Sequence, residues 1–340
     1  MYKAGTNNLI TDVDGIAVGH ATDEISKSGV TSVLCLPGYC AGVDVRGGGP
    51  GTRETEALAP ENLVGRLHGI VLAGGSVFGL AAADGVACAL SAQGAGIHLR
   101  EPSPAIPIVP CAVLHDLGNG GNKSWGTDPP YRQLGLASVG NASKKFELGS
   151  VGAGRGAIAG LIKGGIGSSS LDLGDGIVVG ALTAVNCVGS VLMPDGETYW
   201  AWPFEIGGEF GGRRPPRDPP VAIDPIPGQS RLFELGRLQP GANTTLAVVA
   251  CNADLTTAEC KRVAVMAQDG IARAIRPAHT PFDGDTVFAV ATAARPLDSG
   301  AMRAMHVARI GSAAADCLAR AIARAVHLAS RTVTATATPR

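Results

Sequence analysis

Glycine interrupts this chain so often that long regular elements have little room to form before about residue 300. The 48 glycines among 340 residues separate short runs of Val, Ile, Ala and Leu. A residue without a Cβ accepts left-handed turns and lets two backbones approach closely. The chain therefore reads as short buried strands joined by tight turns. Three alternatives are excluded. A hydrophobic content of 45% with a net charge of -1 rules out disorder. The glycines have no three-residue period, which rules out collagen. The balance of 28 basic and 29 acidic residues leaves no electrostatic footprint for nucleic acid.

The runs over 15–18, 32–36, 69–73 and 176–186 are continuous rather than alternating, the pattern of strands buried on both faces. Helices are expected over 77–93, with Phe78, Leu80, Ala81, Val86 and Leu90 on one face, and over 132–143. Residues 203–240 are crowded with Pro and Gly and read as an irregular surface connector. Order resumes with a strand over 244–251. Thr256 then reads as an N-cap with Glu259 as its capping-box partner. The helix that follows carries Cys260, Val263, Ala264, Ala267 and Ile271 at helical spacing. A turn at Asp283-Gly284-Asp285 leads into a strand over 286–292, and an Ala-rich helix over 302–329 closes the chain. Interspersed strands and helices give an α/β or α+β class with layered sheets, in a single domain spanning 1–340.

The first residues have no apolar core or cleavage site of a secretory signal. No apolar stretch reaches the roughly 18 residues of a membrane span. A cytoplasmic protein is expected. The eight cysteines form no C-x-x-C pair, so they read as buried reduced thiols rather than zinc ligands.

Two glycine motifs mimic nucleotide sites. Residues 152–157 match G-x-G-x-x-A, but Gly160, Gly164 and Gly165 interrupt the helix that such a fingerprint must open. Residues 47–53 lack the Gly-Lys-Ser/Thr ending of a P-loop. The seven histidines occur singly, with no H-E-x-x-H and no G-x-S-x-G elbow.

The segment carrying chemistry follows the connector: Gly241-Ala242-Asn243-Thr244-Thr245, then an apolar strand. On pattern alone this is a turn entering a strand. Chemically, a Thr hydroxyl held against the preceding carbonyl can attack it in an N→O acyl shift. Hydrolysis of the ester then frees an N-terminal Thr that carries its own base, since an α-amine titrates near 8. A carboxylate would position that amine, and Asp283 and Asp285 are candidates.

Several blocks in order give the chain a resemblance to a known family. They comprise residues 8–20, 43–55, 72–80 and 163–168, then Val185-Asn186-Cys187-Val188-Gly189, Asn243-Thr244-Thr245 and Asp283-Gly284-Asp285-Thr286. Across about 7–328 the chain resembles the L-aminopeptidase/D-esterase family, which includes β-peptidyl aminopeptidases and hydrolases of 6-aminohexanoate (nylon) oligomers. The resemblance implies a four-layer αββα sandwich, like N-terminal-nucleophile hydrolases but differently connected. It implies self-cleavage between Asn243 and Thr244, giving an α-subunit of residues 1–243 and a β-subunit of 244–340. Thr244 would be the nucleophile, and Asn186 would polarise the scissile carbonyl. Asp283 and Asp285 would orient the nucleophile and its amine, and Lys163 would lie near it. His115 stands where relatives carry an aromatic residue. Together with Gly74, Gly75 and Ser76 it is a candidate for binding substrate.

The implied substrate is a small peptide or amide, with no metal or organic cofactor, and the implied assembly is a homo-oligomer of cleaved heterodimers, often four. Thr rather than Ser as nucleophile leans toward the nylon-oligomer type. The alternative is an acyltransferase similar to ornithine acetyltransferase, which would pass the acyl group to an amine.

Overall fold

A computed structural model describes residues 2–217, 224–233 and 243–336. Pro219, Pro220 and Pro240 of the connector, and Gly241-Ala242 before Asn243, lie outside the described residues.

The strands are β1 (Ile16–Asp23), β2 (Ser28–Val45), β3 (Thr52–Arg53), β4 (Arg66–Ala73), β5 (Cys111–Val113), β6 (Ile158–Ala159), β7 (Ile162–Lys163), β8 (Gly165–Asp172), β9 (Val178–Asn186), β10 (Thr244–Ala253) and β11 (Thr286–Arg295). The helices are α1 (Ala82–Ala92), α2 (Tyr131–Gly140), α3 (Thr257–Ala274) and α4 (Ala301–Thr336). The main sheet runs β3-β5-β4-β2-β11-β10-β9-β8, with β1 also on β2, while β6 and β7 form a separate ribbon. The fold is a mixed α+β architecture.

Side-chain parity sorts this sheet into layers. On β10, Ala247, Val249 and Cys251 join one core with α3 and α4. Leu246, Val248 and Ala250 face the other way, into a core shared with Val33, Ile70 and Leu72. On β4, Val71 and Ala73 face a third core with Ala82, Val86 and Tyr131 from α1 and α2. Three cores between four layers are the αββα arrangement that the resemblance implies.

Strand β2 joins the two sheet layers. It was expected only over 32–36, but it runs 18 residues. Its Pro37 and Gly38 end the apolar pattern, yet pairing with β4 resumes at Tyr39 after a register shift. The same strand pairs β11 from Cys40 to Val45. The expected helix over 77–93 starts as a 3-10 segment, Ser76–Ala81, before α1. Residues 152–157 open no helix. A short 3-10 turn there leads into β6.

Thr256 caps α3 as expected. Its side chain accepts from the Glu259 N–H, and the Glu259 carboxylate accepts from the Thr256 N–H at 2.8 Å. All eight cysteines are free thiols, but Cys88 is exposed and Cys40 half-buried, against the expected burial. No described helix is long and apolar enough to cross a membrane.

One buried arginine ties four distant segments. The Arg320 side chain is 1% exposed on α4. It donates to Glu209 in the connector at 2.6 and 3.0 Å, to the Ser170 carbonyl of β8 at 2.9 Å and to Asn8 Oδ1 at 2.8 Å. Removing it takes the closest cation from a buried carboxylate, which keeps the Asn8 amide at 2.6 Å and Arg324 at 3.6 Å, so Arg320→Met should destabilise the fold by about 3 kcal/mol. Chemical denaturation reads this out, and a loss below about 1 kcal/mol would show that the pair is screened like a surface ion pair.

Candidate active site

The site forms where two parallel strands begin. β10 and β11 pair in parallel, with Leu246 opposite Thr286, and the pairing extends backward as a bridge between Asn243 and Asp283. The Gly284 N–H donates to the Asn243 carbonyl at 2.8 Å. The Thr244 hydroxyl also donates to that carbonyl oxygen, at 2.5 Å. The hydroxyl thus lies against the group that it would attack. Thr244 is 1% exposed, so among the described residues the carbonyl within its reach is its own.

Glycine is required at two positions here. A Cβ on Gly284 would lie 2.7 Å from Thr244 Oγ1, and one on Gly47 would lie 2.3 Å from the Asp283 carbonyl oxygen. The loop after β2 can therefore close on the 283–285 turn. The Gly49 N–H donates to the Asp283 carbonyl at 2.8 Å, and the Arg46 N–H to the Asp285 carbonyl at 3.0 Å.

The two carboxylates do different things. Asp285 Oδ1 accepts from the Thr245 N–H at 2.7 Å, directly after Thr244. Its Oδ2 lies 2.8 Å from His279 Nδ1 and accepts from the His279 N–H at 3.1 Å. Asp283 Oδ2 accepts from the Thr280 hydroxyl at 2.7 Å and N–H at 3.0 Å, and its Oδ1 from the Val188 N–H at 3.3 Å. Burial, and then the neighbouring Asp285 carboxylate, push the Asp283 carboxyl up to about 6. Burial pulls the His279 imidazole down, but the bond to Asp285 outweighs it, and the net shift is upward.

Asn186 ends β9 directly opposite Thr244 in the antiparallel ladder. Its Oδ1 accepts from the Ile158 N–H at 3.0 Å, and its Nδ2 donates to the His115 carbonyl at 3.1 Å. The described donors on the Asn243 carbonyl are therefore the Gly284 N–H and the Thr244 hydroxyl rather than the Asn186 amide. Lys163 faces Ile158 across the β6–β7 ribbon, and its amine donates to the Arg155 carbonyl at 2.9 Å. Burial, and then the Arg155 and Lys27 charges, hold that amine below the usual lysine range. Ile158, its partner in the ribbon, donates its N–H to Asn186 Oδ1.

Gly74, Gly75 and Ser76 cluster with the His115 segment. The Gly75 N–H donates to Asp116 Oδ1 at 2.8 Å and the Ser76 N–H to the Leu114 carbonyl at 2.9 Å. A Cβ on Gly75 would strike Tyr131 at 2.0 Å. These glycines thus pack around buried Asp116, next to His115, whose carbonyl accepts from the Asn186 amide.

Sequence reasoning missed three contributors. Gly284 was read only as a turn residue and His279 as an isolated histidine. Arg231, in the described end of the connector, donates to the carbonyls of Ile158 at 2.7 Å, Asn186 at 3.3 Å and Cys187 at 3.0 Å. Only the nearness of His279 to Asp285 in the chain could have signalled one of them.

Comparison with known proteins places the chain in a family. The model of peptidase family S58 matches residues 8–339. An uncharacterized aminopeptidase of Mycobacterium tuberculosis (strain ATCC 25618 / H37Rv) is 44% identical over 330 residues, covering 93% of this chain and 92% of that protein. The 6-aminohexanoate-oligomer endohydrolase of Kocuria sp. (strain KY2) is 28% identical over 298 residues, covering 85% and 76%. Among solved structures, the L-aminopeptidase D-Ala-esterase/amidase of Ochrobactrum anthropi, described as a variant of the Ntn-hydrolase fold, superposes with a TM-score of 0.63 at 21% identity, covering 95% and 86%. That structural likeness speaks to the fold. The family match over nearly the whole length and the 44% identical relative speak to descent: this chain belongs to peptidase family S58.

Proposed function

We propose that the chain is an amidohydrolase that cuts itself between Asn243 and Thr244. It would then use Thr244 to release N-terminal or ω-amino acid residues from small peptides or linear amide oligomers. One observation carries the reading: in a residue 1% exposed, the Thr244 hydroxyl sits 2.5 Å from the Asn243 carbonyl oxygen, which the Gly284 N–H also holds at 2.8 Å.

The proposed first step is attack of Thr244 Oγ on the Asn243 carbonyl carbon, with the developing oxyanion held by the Gly284 N–H. Collapse breaks the Asn243–Thr244 amide and leaves an ester with a free α-amine. Water then cleaves the ester, giving a carboxylate on Asn243 and an N-terminal Thr244. In hydrolysis the same hydroxyl attacks the substrate carbonyl. The α-amine takes the proton and returns it to the leaving amine. Asp285, one residue along on the Thr245 N–H, fixes the start of β10, and Asp283 supplies negative charge for the new ammonium. Asn186, opposite Thr244, is assigned to the substrate oxyanion, with Lys163 supporting it through Ile158. His115 and the 74–76 turn would border the substrate. Assembly of the cleaved heterodimers into a homo-oligomer, as a tetramer, belongs to the same reading through the family resemblance.

Denaturing electrophoresis with intact mass tests the reading directly. Wild-type protein should give two pieces meeting at Asn243/Thr244, Thr244→Ser should still process, and Thr244→Ala should stay whole and inactive. Active enzyme that remains one full-length chain would sink the proposal. Added amine acceptors that out-compete water would instead favour the acyltransferase alternative.

Gly284→Ala places a methyl group against Thr244 Oγ1 and should slow processing by at least about tenfold, the rate equivalent of roughly 1.4 kcal/mol. Processing at the wild-type rate would show that this contact does not matter.

In newly synthesised precursor, self-cleavage should rise with pH through about 6 as Asp283 ionises, and Asp283→Asn should flatten that limb. The stability effect runs in the opposite direction. Because the folded-state value is the higher one, the contribution of Asp283 to stability is complete below pH about 4 and is lost as pH rises through about 6. A wild-type precursor whose rate is flat between pH 5 and 7 would contradict the role given to Asp283.

A further inference from the structure

A second site lies at the far end of the same two strands. A cavity of about 510 Å³ is lined by residues 37–40 of β2, residues 62–66, residues 254–257 after β10 and residues 291–293 of β11. β10 and β11 are each 10 residues long and run from the Thr244 end toward it. At about 3.3 Å per residue the cavity is roughly 25–30 Å from Thr244. None of its lining residues belongs to the site described above.

Cys40 lines this cavity and is half-buried. Its sulfur is 3.4 Å from Thr257 Oγ1, in the first residue of the 18-residue helix α3. Cys260, one turn further along α3, is buried and directs its thiol toward the Cys40 backbone carbonyl at 3.8 Å. Arg66 and Asp254 are the charged side chains on the cavity wall. Thr292 also borders the cavity; it is 9% exposed, and its hydroxyl has no hydrogen-bond partner among the described residues. The cavity wall therefore carries the Cys40 thiol and the Arg66 cation, with the Cys260 thiol buried behind it.

The bond from Cys260, then the Thr257 hydroxyl and the Arg66 charge, outweigh burial and bring the Cys40 thiol down to about 6. Cys260 moves in the opposite direction, well above the ordinary thiol range. Burial is the largest cause that raises Cys35, Cys111 and Cys317. An acidic attacking thiol beside an un-ionised partner is the pairing that a two-step thiol oxidation uses.

We propose that Cys40 is an oxidant-reactive modification site that takes hydrogen peroxide in this cavity and closes a disulfide with Cys260. In the first step the Cys40 thiolate attacks one peroxide oxygen and the O–O bond breaks. The departing hydroxide gains a proton to become water, leaving Cys40 as a sulfenic acid. In the second step the Cys260 sulfur attacks the Cys40 sulfur. The S–S bond forms, the S–O bond breaks, and the hydroxyl leaves with the thiol proton as a second water. Overall, two thiols are oxidised and one peroxide is reduced to two waters. The bond would link β2 to α3 across the cavity wall.

The test treats the purified protein with hydrogen peroxide and maps its cysteines by mass spectrometry. The expected product is a Cys40–Cys260 linked peptide lighter by two hydrogens and restored by dithiothreitol. In Cys260→Ala the expected product is a sulfenic acid on Cys40, trapped by dimedone. Independently, iodoacetamide at pH 6 should alkylate Cys40 about tenfold faster than a small free thiol of ordinary acidity. Oxidation confined to exposed Cys88 with Cys40 still reduced would overturn the proposal. So would oxidised Cys40 that never links to Cys260, or alkylation of Cys40 no faster than the small thiol. No readout depends on hydrolysis, so the result stands apart from the function proposed for Thr244.

Discussion

The hydrogen bond from the Gly284 N–H to the Asn243 carbonyl is the contact on which the rest of the site depends. It extends the β10–β11 ladder one step back beyond the strands and fixes the plane of the peptide between Asn243 and Thr244. With that plane fixed, the Thr244 hydroxyl meets the Asn243 carbonyl oxygen at 2.5 Å. The bond requires close approach, which explains why residue 284 has no side chain and why Gly47 and Gly49 fold over the same turn. A glycine-rich composition is here the steric condition for a reactive backbone contact.

Burial of charge is the second constraint. Asp283 and Asp285 are each 1% exposed, and two carboxylates this close cannot both ionise freely without neighbouring donors. Asp285 has two N–H donors and the imidazole of His279. Asp283 has Thr280 and the Val188 N–H and keeps its proton to a higher pH. The turn thus holds one firmly anchored carboxylate and one poised to ionise within an ordinary working range. This division of labour comes from His279 and Thr280, several residues before the motif itself.

Much of this was legible in the sequence. Continuous apolar runs gave β4 and β9, the Thr256-x-x-Glu259 pair gave the start of α3, and the ordered blocks gave the family. The reach of β2 was not legible, because Pro37 and Gly38 look like a stop whereas the ladder merely shifts register past them. The partners of Asn186 were hidden for a different reason. Its amide meets His115 and Ile158, which are 71 and 28 residues away in sequence, so only the folded layers bring them together. Arg231 was invisible on its own, since nothing in a Pro/Gly-rich connector marks one arginine as a clasp for three carbonyls. Cys40 was grouped with the buried thiols because its flanking residues are apolar, yet the cavity beside it is built from four separated segments.

The strand order has a mechanical consequence. β10 and β11 lie in the interior of the sheet, with β9 on one side and β2 on the other. A chain severed between Asn243 and Thr244 would leave its second piece laced between two strands of the first, with α3 and α4 packed over both. Separating the pieces would require unzipping two full ladders and opening the core beneath the helices, which amounts to unfolding the molecule. A nick at this position would create a new chain end without creating a new joint.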